Sequence, residues 1–240
     1  MQPAATIPGG RNLGVLLRGE PDSLADWAER RDAGRLTLCF GVIIAGAGLY
    51  GGAMGCWRAP LQALFVALKF PLILLFTAAG NGLLNAMLAP LLGVNIPFRQ
   101  SFLAIIMSFT ITAAILGSFS PLAAFMIWNA PPLSTEAWIS DPAYNVILLT
   151  HVGIIAFAGI VGNLRLVQLL RQLSGSAARA RRVLLAWLAC NLFLGSQLSW
   201  ILRPFIGAPG LPVEFLRTNA FKGNFYETVF RSLAHLLAGS

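Results

Sequence analysis

Residues 101–128 read SFLAIIMSFTITAAILGSFSPLAAFMIW, with no Asp, Glu, Lys or Arg from end to end. About 20 apolar residues in helical geometry cross the ~30 Å hydrocarbon layer of a bilayer. The stretch predicts a membrane-spanning helix closed by Trp128, an aromatic of the kind that anchors helices at the water interface. Runs of the same character flank it at residues 35–56, 71–93, 144–166 and 183–202. The predicted fold class is all-α: a polytopic membrane helical bundle of five transmembrane helices, with interfacial amphipathic helices beside them.

Composition agrees with this reading. Hydrophobic residues make up 57% of the 240 residues and charged residues only 11%, where soluble chains carry about 25%. The net charge of +8 comes from basic residues near span ends, where they set topology and meet anionic headgroups. They form no patch interleaved with exposed aromatics, so the bilayer and not nucleic acid is the expected partner. Of the 17 basic residues, eleven fall on the side of the N-terminus, and the 3–4 loop opposite carries Glu136 and Asp141 but no basic residue. That asymmetry predicts a cytoplasmic N-terminus and a periplasmic C-terminus. Lys69 and Lys222 are the only lysines, an arginine bias that fits a GC-rich bacterial genome, and the expected location is a bacterial cytoplasmic (inner) membrane.

Three regions follow. Residues 1–33 are a cytoplasmic tail with a short juxtamembrane helix over 23–32, started by Ser23. Arg11, Arg18 and Glu20 interrupt it too early for a cleavable signal. Residues 34–206 are the transmembrane domain. Within it, 57–70 reads as an interfacial helix, with Leu61, Leu64, Phe65 and Leu68 on one face and Arg58, Gln62 and Lys69 on the other. That placement spares Lys69 the ~2.5–3.5 kcal/mol of a midplane charge. A single kinked helix over 59–93 is the alternative. Residues 207–240 are a Pro/Gly-rich segment and an amphipathic helix beginning at Asn224.

Candidate residues fall into four groups. Gly48, Gly51, Gly52 and Gly55, with Ala158 and Gly162, have the small-residue spacing that lets helices approach closely in lipid. Asn81, Asn85, Ser108, Thr112, Asn191 and Gln197 either hydrogen-bond between helices or line a polar pathway. His151 bridges helices or, less favoured, ligates a cofactor. Arg203, Pro204, Phe205, Tyr226 and Phe230 are expected to contact a partner or lipid.

Reactive chemistry is sparse. All nine acids lie outside the predicted spans, which argues against an intramembrane carboxylate site or proton path. Cys39, Cys56 and Cys190 form no C-x-x-C, and no Walker, HExxH or GxSxG motif occurs. No catalytic residue, metal or cofactor is expected.

The connector Leu91-Leu92-Gly93-Val94-Asn95-Ile96-Pro97-Phe98-Arg99-Gln100-Ser101-Phe102 resembles the glycine-then-Phe-basic-Gln link between helices two and three of bacterial Yip1-type membrane proteins. The five closely spaced helices after a cytoplasmic tail are similar too. The resemblance implies a membrane organiser or adaptor and carries over no functional residues. The expected function is a non-catalytic accessory, scaffolding or assembly subunit packed against other membrane subunits. The alternative is a channel or carrier for an uncharged or weakly anionic small solute.

Overall fold

Pro60 and Pro142 each open a helix, at the position where a missing N–H costs nothing because first-turn donors lack intrahelical acceptors. The computed structural model describes residues 14, 33–91, 98–132, 142–174, 177–207 and 212–227. The expected 23–32 helix, connector residues 92–97, Phe230 and most of the expected terminal helix lie outside the described residues, as does the side chain of Asn85. The chain is all-α, with helices α1 (Ala33–Gly55), α2 (Pro60–Leu91), α3 (Phe98–Trp128), α4 (Pro142–Ser174) and α5 (Ala177–Ile201). Each contains a stretch long and apolar enough to cross a membrane: Gly34–Gly55, Pro60–Leu84, Ser101–Trp128, Val146–Leu164 and Arg181–Ile201.

Neighbouring helices close a ring. α2 packs on α3, α3 on α4, α4 on α5, and α5 returns to α2, while α1 lies against α2 and α3. The buried core is Ile43, Ala47 and Tyr50 of α1 with Val66, Ile105, Ile106, Leu116 and Trp187 of the ring helices. Large apolar side chains such as Leu83, Phe125, Leu149 and Leu185 face outward, as a lipid-solvated surface allows.

Backbone polarity is handled locally. Pro121 sits inside α3 and cannot donate to the Gly117 carbonyl four residues earlier. Ser120 Oγ takes that carbonyl instead, at 2.7 Å. In hydrocarbon no water is there to do it.

The glycines of α1 divide between two neighbours. Gly48, Gly51, Gly52 and Gly55 face α2, where a Cβ added at Gly51 would lie 2.6 Å from the Val66 carbonyl oxygen and one at Gly55 2.8 Å from Ala63 Cα. Gly46, which the motif reading passed over, faces α3 against the Ala113 carbonyl, and a Cβ at Gly117 would lie 2.9 Å from Gly46 Cα. Ala158 and Gly162 stand at the α3–α4 seam. The Ala158 carbonyl accepts from Thr112 Oγ1 at 3.3 Å, and an added Cβ at Gly162 would collide with that same hydroxyl.

One element differs from expectation. Residues 60–91 form a single helix, close to the single-helix alternative over 59–93, in place of an interfacial helix over 57–70 followed by a span over 71–93. Its apolar face, Leu61, Leu64 and Leu68, is exposed. Gln62 and Lys69 point inward and are fully buried, at 1% and 0% exposure. They have no need of the headgroup layer because the chain after α5 folds back over them and supplies carbonyl oxygens.

Candidate functional site

Inside the ring of α2–α5 lies a cavity of about 660 Å³ with mostly apolar walls. Leu148, His151, Ile155, Gly159 and Asn163 of α4 line it. These residues share one face because they step by three or four positions. Asn163 lies nineteen positions after Tyr144, both lining residues, so at 1.5 Å per residue the cavity runs along about 28 Å of α4.

Several polar residues singled out in the sequence meet there. Ser108 and Thr112 of α3 and Asn191 of α5 all line the cavity. Asn81 of α2 is fully buried and joins them by donating from Nδ2 to Asn191 Oδ1 at 2.5 Å. Gln197 stands apart: its Oε1 accepts from the Phe225 amide at 3.1 Å. Thr77, Asn163 and Arg217 also line the cavity and were missed. Thr77 had a signal, since it lies one turn before Asn81 on the same face. Arg217 had none.

His151 is held from a distant element. Tyr50 Oη on α1 lies 2.8 Å from His151 Nδ1, and both residues are fully buried. Whichever partner donates, His151 Nε2 has no hydrogen-bond partner. Thr77 Oγ1 and Asn163 Oδ1 are likewise buried without partners. An unmade hydrogen bond on a buried polar atom costs about 1–3 kcal/mol. Three such atoms belong to residues lining one cavity. Tyr50→Phe should orphan His151 Nδ1 as well and lower stability by about 1–3 kcal/mol. Adding His151→Leu should recover most of that loss, because both polar groups are then gone. Thermal midpoints of the two variants in detergent test this; a silent Tyr50→Phe would show that the bond contributes nothing.

The segment after α5 walls off one end. Gln62 Nε2 donates to the Pro204 and Phe205 carbonyls at 3.0 and 2.8 Å, and Lys69 Nζ to Pro204 at 3.1 Å. The Phe205 ring meets Phe70 edge-on, and Phe215 does the same to Phe65. Lys69 Nζ also sits 5.3 Å from the Phe215 ring centre, a cation–π contact. Arg203 donates to the Trp200 carbonyl at 2.6 Å and lies 3.7 Å above the Trp200 ring. Tyr226 stacks on Phe193 and donates to the Leu192 carbonyl at 3.3 Å. Asn224 caps the turn that follows, its Oδ1 accepting from the Glu227 amide at 2.7 Å. Arg203, Pro204, Phe205 and Tyr226, expected to meet a partner or lipid, thus engage the chain's own helices.

Electrostatically, this end is positive. Burial, then the nearby Arg217 charge, holds Arg203 below the usual guanidinium range. Among the described residues no three His, Cys, Asp or Glu side chains gather where they could hold a metal. Comparison with family models, with curated proteins and with solved structures returns no match for this chain.

Proposed function

We propose that this chain is a non-catalytic membrane protein that holds a small lipophilic molecule inside its helical ring, serving a larger membrane assembly as an accessory subunit. The cavity carries this reading: its volume of about 660 Å³ falls within the ~300–1,000 Å³ of small-molecule sites, whose apolar walls hold a few placed polar groups. Thr77, Ser108, Thr112, His151, Asn163 and Asn191 are among the polar residues of its walls, which favours a ligand with at least one hydrogen-bonding group. A channel or carrier for an uncharged or weakly anionic small solute is the second reading, and walls that are largely aliphatic and aromatic favour it less. With the N-terminus on the cytoplasmic side of a bacterial inner membrane, the end covered by residues 203–207 and 212–227 faces the periplasm. The Yip1-type resemblance, with its organising role, is consistent with an accessory subunit and names no ligand.

Gly195→Leu tests the reading. An added Cβ there meets Thr77 only at 3.8 Å, ordinary contact, so the leucine fits the backbone and fills cavity space. Protein purified in mild detergent should yield a near-stoichiometric lipophile on solvent extraction and mass spectrometry. The variant, with an unchanged elution profile, should retain about tenfold less. A wild-type protein free of any bound lipophile, and unable to take one up from mixed lipid, would end the proposal.

A further inference from the structure

Three cations gather where the cavity meets the segment after α5. Arg217 lines the cavity two residues after Phe215, whose ring centre lies 5.3 Å from Lys69 Nζ, and Arg203 directly precedes Pro204, the acceptor of Lys69. Lys69 is fully buried, and its ammonium group, with three protons to donate, makes one hydrogen bond among the described residues, to the Pro204 carbonyl. Among the described residues no carboxylate pairs with Lys69, Arg203 or Arg217, although Glu214 lies in the same segment.

Such a cluster is costly as it stands. Like charges held close at low dielectric repel, and a buried charge is retained when an opposite charge or a set of hydrogen bonds compensates it. A soluble anion would satisfy the charge and leave the apolar cavity beneath it unused. An amphiphile satisfies both at once, with its anionic group at Arg217 and its hydrocarbon along α4 and α5.

We propose that the cavity's ligand is an anionic lipid, its phosphate held by Arg217 within the field of Lys69 and Arg203, and its acyl chain inside the ring of α2–α5. The assignment rests on the cavity-binding reading above and adds the charge and placement of the headgroup. Arg217 is the direct contact because it alone of the three lines the cavity. Lys69 and Arg203 act through their charge, from either side of the bond that Lys69 makes to Pro204.

The test uses the full chain in neutral detergent and measures binding of phosphatidylglycerol, of diacylglycerol with the same acyl chains, and of inorganic phosphate. Wild type should bind phosphatidylglycerol at least tenfold more tightly than diacylglycerol, a margin ordinary for a charge-assisted hydrogen bond. Arg217→Gln should remove that preference while leaving diacylglycerol binding unchanged, and Arg217→Lys should restore most of it. Equal affinity for the two lipids would overturn the headgroup assignment and leave the cavity reading standing. Binding of neither lipid would overturn both. Inorganic phosphate binding as tightly as phosphatidylglycerol would show that the acyl chain contributes nothing, and the lipid assignment would fall.

Discussion

Gly46→Leu is expected to separate α1 from α3 and to abolish a monodisperse, folded preparation, whereas Gly41→Leu on the same helix should be tolerated. At Gly41 an added Cβ meets nothing within 4 Å. At Gly46 it would overlap the Ala113 carbonyl and lie 2.8 Å from its carbon. Those are backbone atoms of a helix, which cannot swing aside as the tip of a side chain does. Overpacking a core usually costs about 1–3 kcal/mol when neighbours can adjust. Here the adjustment available is to move one helix off another. In lipid, close van der Waals contact is the main force holding such a pair, since hydrocarbon surrounds the separated helices equally well. The cost should therefore reach or exceed the top of that range. Thermal midpoints by fluorescence-detected size exclusion decide the matter. A Gly46→Leu protein as stable as the wild type would mean that the α1–α3 crossing is not as close as described.

Gln62→Leu should release the segment after α5, and Lys69→Met should not, although both side chains donate to the Pro204 carbonyl. Gln62 supplies the donor to Phe205 and one of two donors to Pro204. Leucine would leave the Phe205 carbonyl without that donor and weaken the hold on Pro204. At about 1–3 kcal/mol for the orphaned acceptor, and 1.4 kcal/mol per factor of ten, the open form should rise roughly ten- to hundredfold. Lys69 is a balance of opposing terms. Its bond to Pro204, charge-assisted, is worth about 1.5–3 kcal/mol, but its burial in the bilayer costs a similar ~2.5–3.5 kcal/mol on insertion scales, and Arg217 repels it. Methionine removes the gain and the cost together, so the net change should be within about 1 kcal/mol. Trypsin reads the difference directly. Cleavage after Arg217 and Lys222 in nanodisc-embedded protein should accelerate at least tenfold in Gln62→Leu and about twofold or less in Lys69→Met. Equal acceleration in both would show that Lys69 is held for its bond alone; none in either would show that the segment is anchored elsewhere, through Phe193 and Tyr226.

The contrast between these two residues shows where sequence reading stops. Periodicity assigned Leu61, Leu64 and Leu68 to one face of a helix and Gln62 and Lys69 to the other, and the helix carries both faces as assigned. What the pattern could not say was which environment each face meets. A polar face beside a membrane is satisfied as well by headgroups as by the carbonyls of a returning chain, and the return comes from residues 135 or more positions away. Tyr50 and His151 show the same limit, being 101 residues apart in the chain. Neither neighbourhood hints at the other.

Sequence by itself determined the all-α class and the number of spans, because a backbone in hydrocarbon must satisfy its own hydrogen bonds and a run of about 20 apolar residues does so as a spanning helix, a demand written residue by residue. It also marked most of the polar groups at the cavity, since Asn81, Ser108, Thr112, His151 and Asn191 stand out against apolar runs. Tertiary structure alone decided that Gly46 rather than the GxxxG face meets α3, that Lys69 turns inward, and that Ser108, Thr112, His151, Asn191 and Arg217 line one cavity. Those outcomes depend on how each helix is rotated and how closely it crosses its neighbours. Rotation and crossing follow from contacts between distant segments, which no local pattern along the chain records.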